Sequence, residues 1–384
     1  MPMSTSPSCC SPTASCLTLA LILLALGGCG SGPPGAGRDQ ALSGTESAGT
    51  ANSAVPPRPA VARRHHGVSW VAGREPVAAA DFAALVGANV TWIAQTPFGW
   101  QRHERSPELR LVTSGRVYWG ETDEGLETTV RLARQHGVET LLKPHVWLSQ
   151  PSEGAWRAEI GMDDEADWAQ WFASYRRFAL HYAALAERLQ IPVYCVGTEL
   201  HRTVRERPDD WRRLIAEVRE VYSGKLTYAA NWYREVDEVP FWDALDMIGV
   251  QAYFPLSTAP VPTVEELEAG WRPHAAALAA LAERHGRPIL FTEVGYVSRP
   301  GAAAEPWLWP ENLAGEAPVE AGLEVQARAY EAFFRTFWDR PWVAGAYFWK
   351  WYPRLAPDAS ARVDFSPQGK PAERVLRHWY GGRR

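Results

Sequence analysis

Two glutamates occupy positions where side chains do chemistry. Each sits at the end of a short β-prone run: Ile191-Pro-Val-Tyr-Cys-Val-Gly-Thr-Glu199, and Pro288-Ile-Leu-Phe-Thr-Glu-Val-Gly-Tyr296, which delivers Glu293. Runs this apolar read as buried strands, and a carboxylate directed beneath flanking helices would be a buried unpaired charge. Both glutamates are therefore expected to face open space at a strand end. Paired carboxyl groups across a cleft can protonate the oxygen that leaves a glycosidic bond and attack the anomeric carbon, or activate water against it. One of the two must then keep its proton near neutral pH, through burial or a neighbouring negative charge, while the other stays ionised.

The elements that must hold such a pair follow from the rest of the chain. From His66 onward, β-prone runs alternate with helical patterns, the sequence form of repeated βα units. The runs are Gly67 to Trp70, Val90 to Gln95, Thr140 to Trp147, Val193 to Glu199, Leu226 to Asn231, Met247 to Tyr253, Ile289 to Tyr296 and Val343 to Trp351. Between them, Pro76 and Pro208 open helices, Gly87, Gly137 and Gly224 close them, and Thr263 with Glu266 forms a capping box. Trp168, Trp171, Phe172, Tyr175, Phe178, Tyr182, Leu185 and Leu189 recur at the spacing of one buried helical face. Eight such units predict an α/β fold, a single (β/α)8 TIM barrel, whose chemistry lies where strands end. A doubly wound open sheet is the alternative, but no G-x-G-x-x-G and no phosphate loop is present. Long segments from Thr96 to Glu121 and from Val297 to Gly322 read as cleft-wall loops.

Alternation along strands aims the side chains. Strands four and seven lie across the barrel, so Glu199 and Glu293 would face one another with room for a sugar ring between them. Glu293 would share the inward side with Ile289 and Phe291, leaving Leu290, Thr292 and Val294 under the helices. Glu199 would share its side with Cys195 and Gly197. The same rule gathers Lys143 and His145, Asn231, Gln251 and Tyr253, and Tyr347, Trp349 and Trp351 at one mouth, where Trp70 ends the first strand. A hydroxyl of Tyr253 that reached Glu293 would favour its ionised form. Structural roles stand beside these: Asn231 could cap a turn, His145 could be a satisfied core histidine, and Tyr253 could anchor a loop.

Composition narrows the partners. The chain of 384 residues carries 46% hydrophobic and 22% charged residues with a formal charge of −5, which offers no footprint for nucleic acid. Nineteen tryptophans exceed what a core needs and suit flat platforms for pyranose rings, although many will fill the core. The adjacent His65 and His66 point to opposite faces and do not form a His-x-His ligand set, so neither a metal nor another cofactor is expected. Cys195 lies four residues short of Glu199 and reads as a small apolar residue rather than a nucleophile.

The apolar run from Cys16 to Gly28 is too short to span a bilayer and ends at Leu26-Gly-Gly-Cys29, which resembles a lipobox, although no Lys or Arg precedes it. Cys9, Cys10, Cys16 and Cys29 all fall in this leader, leaving Cys195 alone in the body and no intradomain disulfide. The expected organisation is a lipoprotein signal over residues 1–28, a flexible Gly/Pro/Ser-rich tether over 29–62 and a catalytic domain over 63–384. The expected partners are a polysaccharide and, through a lipid on Cys29, a membrane surface on the exported side. A cleaved, secreted form is the alternative, and a monomer is expected.

A glutamate closing the fourth strand, another closing the seventh and a tryptophan on the eighth resemble clan A of the retaining glycoside hydrolases. Finer strings are Leu142-Lys-Pro-His145, Val196-Gly-Thr-Glu199, Trp211-Arg-Arg-Leu-Ile215, Leu226-Thr-Tyr-Ala-Ala-Asn231, Phe241-Trp-Asp243, Ile248-Gly-Val-Gln-Ala-Tyr253, Phe291-Thr-Glu-Val-Gly-Tyr296 and Tyr347-Phe-Trp-Lys-Trp351. Together they are similar to glycoside hydrolase family 113, a family containing β-mannanases, from about Gly67 to Trp351. The resemblance implies a retaining, endo-acting enzyme with Glu199 as acid/base and Glu293 as nucleophile. It also implies that Lys143, Asn231, Tyr253 and Trp349 bind or orient the attacked sugar. Thr198 departs from the clan, most of whose members place there an asparagine that contacts the sugar 2-hydroxyl. A polysaccharide-binding lipoprotein without catalysis is the competing reading, and two aimed carboxylates are what such a binder would not need.

Overall fold

The computed structural model describes residues 64–115, 117–310, 319–355 and 363–382. The expected leader, its Cys29 and the tether lie outside the described residues. Among the described residues eleven strands appear in chain order: β1 (His65–Trp70), β2 (Trp92–Gln95), β3 (Phe98–Gln101), β4 (Leu109–Leu111), β5 (Glu139–Leu142), β6 (His145–Leu148), β7 (Val193–Thr198), β8 (Lys225–Asn231), β9 (Met247–Gln251), β10 (Ile289–Val294) and β11 (Val343–Trp351). Eight of them, in the order β1-β11-β10-β9-β8-β7-β5-β2, close a barrel in which every neighbouring pair is parallel.

The helices are α1 (Ala83–Gly87), α2 (Asp123–Gln135), α3 (Glu165–Arg188), α4 (His201–Glu206), α5 (Pro208–Val221), α6 (Glu235–Glu238), α7 (Val264–His285), α8 (Val319–Phe337) and α9 (Pro371–Tyr380). Their ends follow from local chemistry. The Asp164 carboxylate accepts the Asp167 N–H at 2.9 Å, Pro208 opens α5, and Thr263 and Glu266 cap α7 reciprocally. The aromatic face of α3 is buried as its spacing requires, from Trp168 through Tyr182 to Leu185. Gly87 closes α1 as its last residue, whereas α5 stops at Val221, short of Gly224.

The segment from Thr96 to Glu121 is not simply a loop. It contributes β3 and β4 to a second sheet, β4-β3-β6. The expected third strand, Thr140 to Trp147, breaks at Pro144, which cannot donate to a ladder. The Lys143 N–H still bonds Gln95 O at 2.8 Å in the barrel, whereas the His145 N–H turns to Pro97 O at 2.9 Å and starts the small sheet.

Side chains alternate along the strands until β-bulges reset them near the mouth, so the simple alternation rule fails where it matters most. On β10, Leu290 belongs to the barrel interior, with Cys195, Ala229 and Met247, while Phe291 packs outward on Phe333 and Phe337. Between Phe291 and Glu293 the register against β9 advances two residues for one. That extra residue puts Thr292 and Glu293 on the inward side together. On β7 the corresponding irregularity falls between Cys195 and Thr198, and Gly197 faces outward. A Cβ there would lie 2.7 Å from the Trp211 ring and 2.8 Å from that of Tyr228, so only glycine fits the bulge. On β11 an extra residue between Phe348 and Trp351 leaves Tyr347 in the interior but turns Trp351 out under the helices.

Candidate active site

Glu293 is brought to the mouth by the β10 bulge and is 5% exposed. Its Oε1 meets the Lys143 ammonium, which is wholly buried and also lies 3.4 Å from Gln251 Oε1 and from Thr292 O. Its Oε2 accepts the Tyr253 hydroxyl at 2.7 Å. Gln251 is tied in through the Thr292 hydroxyl, which donates to Gln251 Oε1 at 2.9 Å. The ammonium and the phenol hydroxyl thus hold the two oxygens of this carboxylate in place. Burial, and after it the charge of Glu293, pushes the Tyr253 hydroxyl well above the usual tyrosine range, so it stays a donor.

Glu199, on β7's outgoing turn, is equally buried, and its backbone takes a left-handed φ of 53° that aims the side chain into the mouth. Its Oε1 accepts from Asn231 Nδ2 at 2.8 Å and its Oε2 from Arg157 Nη1 at 2.6 Å. Burial pushes this carboxyl above the ordinary glutamate range, Arg157 opposes the shift, and the charge of Glu293 adds to it. Each glutamate therefore acts electrostatically on the same small volume at one end of the barrel.

The remaining candidates divide. Asn231 caps the turn, its Oδ1 accepting the Tyr233 N–H at 2.8 Å, while its Nδ2 is the group that reaches Glu199. His145 lies 3.9 Å from Glu293 Oε1, and its Nε2 has no hydrogen-bond partner among the described residues. Burial, then the charges of Lys143 and Arg157, hold its imidazole well below the ordinary histidine range. It is thus a neutral wall of the site and not half of an ion pair. Trp349 packs beside Tyr253 and Phe365, half-buried at the mouth. Trp70 and Trp351 do not join them. Trp70 stacks on Phe82 at 4.8 Å beneath the helices, and Trp351 is fully buried in the same outer layer. Thr198 turns its hydroxyl to Pro144 O at 3.3 Å and lies inside the barrel.

Several site residues had no mark in the sequence. Arg157 comes from a turn between β6 and α3, and Thr292 reaches inward only because of the bulge. Exposed aromatics surround the mouth: Trp147 on β6, Trp156 beside Arg157, Tyr233 after β8, and Trp307 and Trp309 after β10. Trp307 stacks on Trp232 with centroids 5.5 Å apart. Such faces are the platforms that carbohydrate rings pack against. Among the described residues no group of His, Cys, Asp or Glu is arranged to hold a metal ion.

Two buried carboxyl groups on one barrel rim, set in different fields and flanked by aromatic faces, suit glycosidic-bond cleavage, and fold and site together define a glycoside hydrolase. More narrowly, the chain belongs to glycoside hydrolase family 113, whose family model matches residues 69–370. Solved structures agree. A family 113 β-1,4-mannanase solved as a complex superposes with a TM-score of 0.70 at 28% identity, covering 84% of this chain and 100% of that one. The family 113 β-mannanase of Alicyclobacillus acidocaldarius, bound to ManMIm, gives 0.70 at 30% identity over 84% and 99%. A β-glucuronidase from Ruminococcus gnavus, at 14% identity and a TM-score of 0.54, covers 83% of this chain and 50% of its own and shares the fold. No curated protein sequence matches the chain significantly.

Proposed function

We propose that the protein hydrolyses β-1,4-linked mannan or glucomannan with retention of configuration, Glu293 serving as nucleophile and Glu199 as acid/base. The observation that carries this reading is the contrast between the two carboxyl groups: Glu293 is met by a buried ammonium and a tyrosine hydroxyl, whereas burial holds Glu199 above the ordinary glutamate range. In the first step Glu293 attacks the anomeric carbon as the glycosidic C–O bond breaks, and Glu199 gives its proton to the departing oxygen. Esterification neutralises Glu293, so the charge that raises Glu199 is removed and Glu199 becomes the base that takes a proton from water. Water then displaces Glu293 from the anomeric carbon and restores both groups. Lys143 and Tyr253 receive the nucleophile's returning charge. The mannan preference is supported by the two solved mannanases at 28% and 30% identity over nearly their whole length.

Incubating the domain with mannan, glucomannan, β-glucan and xylan, and following new reducing ends and their initial anomer, tests the reading. Release of β-anomers from mannan or glucomannan is expected. α-Anomers overturn retention, and no product from any of the polymers favours a non-catalytic polysaccharide binder. Arg157 supplies a second check. Its guanidinium favours ionised Glu199, so Arg157→Ala raises the pKa of the acid, and the basic limb of the kcat/KM profile moves to higher pH. An unmoved limb would remove Glu199 as the proton donor. We also propose that the exported protein is anchored through a lipid on Cys29. Labelled palmitate is expected to enter the full chain and to be lost in Cys29→Ala.

A further inference from the structure

One buried carboxyl group has no part in the steps above. Glu235 opens α6 directly after β8 and is wholly inaccessible to solvent. Its Oε1 accepts the Tyr228 hydroxyl at 2.5 Å, and its Oε2 accepts the Asn231 N–H at 2.7 Å. From there two separate routes reach Glu199. The Tyr228 oxygen accepts the N–H of Leu200, the next residue after Glu199, at 2.7 Å. Asn231 Nδ2 donates to Glu199 Oε1 at 2.8 Å. The backbone between these routes is the left-handed turn at Glu199, whose own N–H bonds Ala229 O at 2.9 Å.

We propose that Glu235 is a positioning residue for Glu199, fixing its backbone through Tyr228 and its side chain through Asn231. The inference rests on the reading of Glu199 as acid/base. Two donors converge on one buried site, and a carboxyl group is the side chain with an oxygen for each. A left-handed φ on a non-glycine residue persists only where surrounding contacts over-determine it. The Tyr228 ring is wedged between Trp211 and Phe241, at 5.5 and 5.7 Å, so its hydroxyl has a fixed place from which to hold Leu200. The arrangement is costly: burial pushes the Glu235 carboxyl up to about 8, with the Glu199 charge adding to the shift. A group kept in place at such a cost, next to the reacting acid, is explained by what it orients. Glutamine matches its shape and keeps one of its two acceptor oxygens, so it preserves one of the two routes.

The test compares Glu235→Ala, Glu235→Gln and Tyr228→Phe on mannohexaose, whose leaving group needs a proton, and on 2,4-dinitrophenyl β-mannobioside, whose leaving group does not. Glu235→Ala is expected to lower kcat on mannohexaose by roughly tenfold or more through misplacement of the acid. The burst of dinitrophenolate should stay within about twofold of wild type, because that step needs no general acid. Glu235→Gln, with one acceptor oxygen left, should restore part of the loss, and Tyr228→Phe, which keeps the ring packing if the alanine variant fails to fold, should show a smaller loss of the same kind. Folded variants that keep the wild-type ratio between the two substrates, or that lose both equally, overturn the proposal. So does a crystal structure of Glu235→Ala in which Glu199 keeps its turn and its Asn231 contact, whatever the substrate. Glu199→Gln run in parallel separates the two readings: if it too leaves the ratio unchanged, the acid/base assignment fails first and takes this one with it.

Discussion

Glu293→Gln should lower kcat on the polymer by at least about 10⁴-fold, the scale on which removing a covalent nucleophile acts. The amide can still accept from Tyr253, but it cannot form the glycosyl ester. The loss should come with a second effect. Lys143 is wholly buried against this carboxylate, so the amide leaves an ammonium without its counter-charge. Breaking a buried pair from one side costs about 3–5 kcal/mol, and the variant should melt measurably below wild type while folding to the same structure. Lys143→Met in the Glu293→Gln background removes the stranded charge and is expected to recover part of the melting temperature and none of the turnover. Differential scanning calorimetry beside a reducing-end assay reads both quantities. Wild-type-like turnover in Glu293→Gln would end the assignment. A melting temperature that the second substitution lowers further would show that Lys143 is held by Gln251 and Thr292 rather than by the carboxylate.

The barrel could be read from the sequence because its signals are local. Each strand is short, apolar and bounded by a helix with identifiable ends, and the stripe from Trp168 to Leu185 is one face of a single helix. Glu199, Glu293, Lys143, Asn231 and Tyr253 could be read because each stands at or just beyond a strand end. What alternation misplaced was everything that a bulge decides. Ile289 and Phe291 were expected inside, and Leu290 and Thr292 outside, yet the interior holds Leu290 and Thr292. One inserted residue leaves Glu293 inward by a different path from the one expected. A glycine within a strand pattern marks such irregularities, and Gly197, two residues before Glu199, was the readable sign of one. Trp70 needed less: with Gly67 and Ser69 inward, strict alternation already turns it outward, where it packs on Phe82. Arg157 and Glu235 lie in polar stretches that read as solvated turns, and only tertiary contacts carry them to Glu199. Propensity and periodicity do not encode such contacts.

Glu199→Ala should separate the two steps of the reaction more sharply than any other change. On mannan or mannohexaose, general-acid catalysis is worth about 10²–10⁴-fold, and turnover should fall by that factor. On 2,4-dinitrophenyl β-mannobioside, Glu293 should still displace the leaving group, giving a burst of dinitrophenolate equal to the enzyme present and then a slow phase, because no base remains to activate water. The residues left behind predict how that phase can be hastened. Removing the Glu199 side chain vacates a space that Asn231 Nδ2 and Arg157 Nη1 both face, a hydrogen-bond donor and a cation. A small anion such as azide fits that setting by charge and needs no base to attack. Azide attack at the anomeric carbon releases the Glu293 carboxylate and forms the β-glycosyl azide, with net retention. Rescue should weaken in Glu199→Ala with Arg157→Ala, where the cation is gone, and should be absent in wild type. An α-azide would instead mean that no glycosyl ester on Glu293 intervenes. A linear release of dinitrophenolate without a burst would mean that Glu199 assists only the first step, and the role of base would then belong to another group.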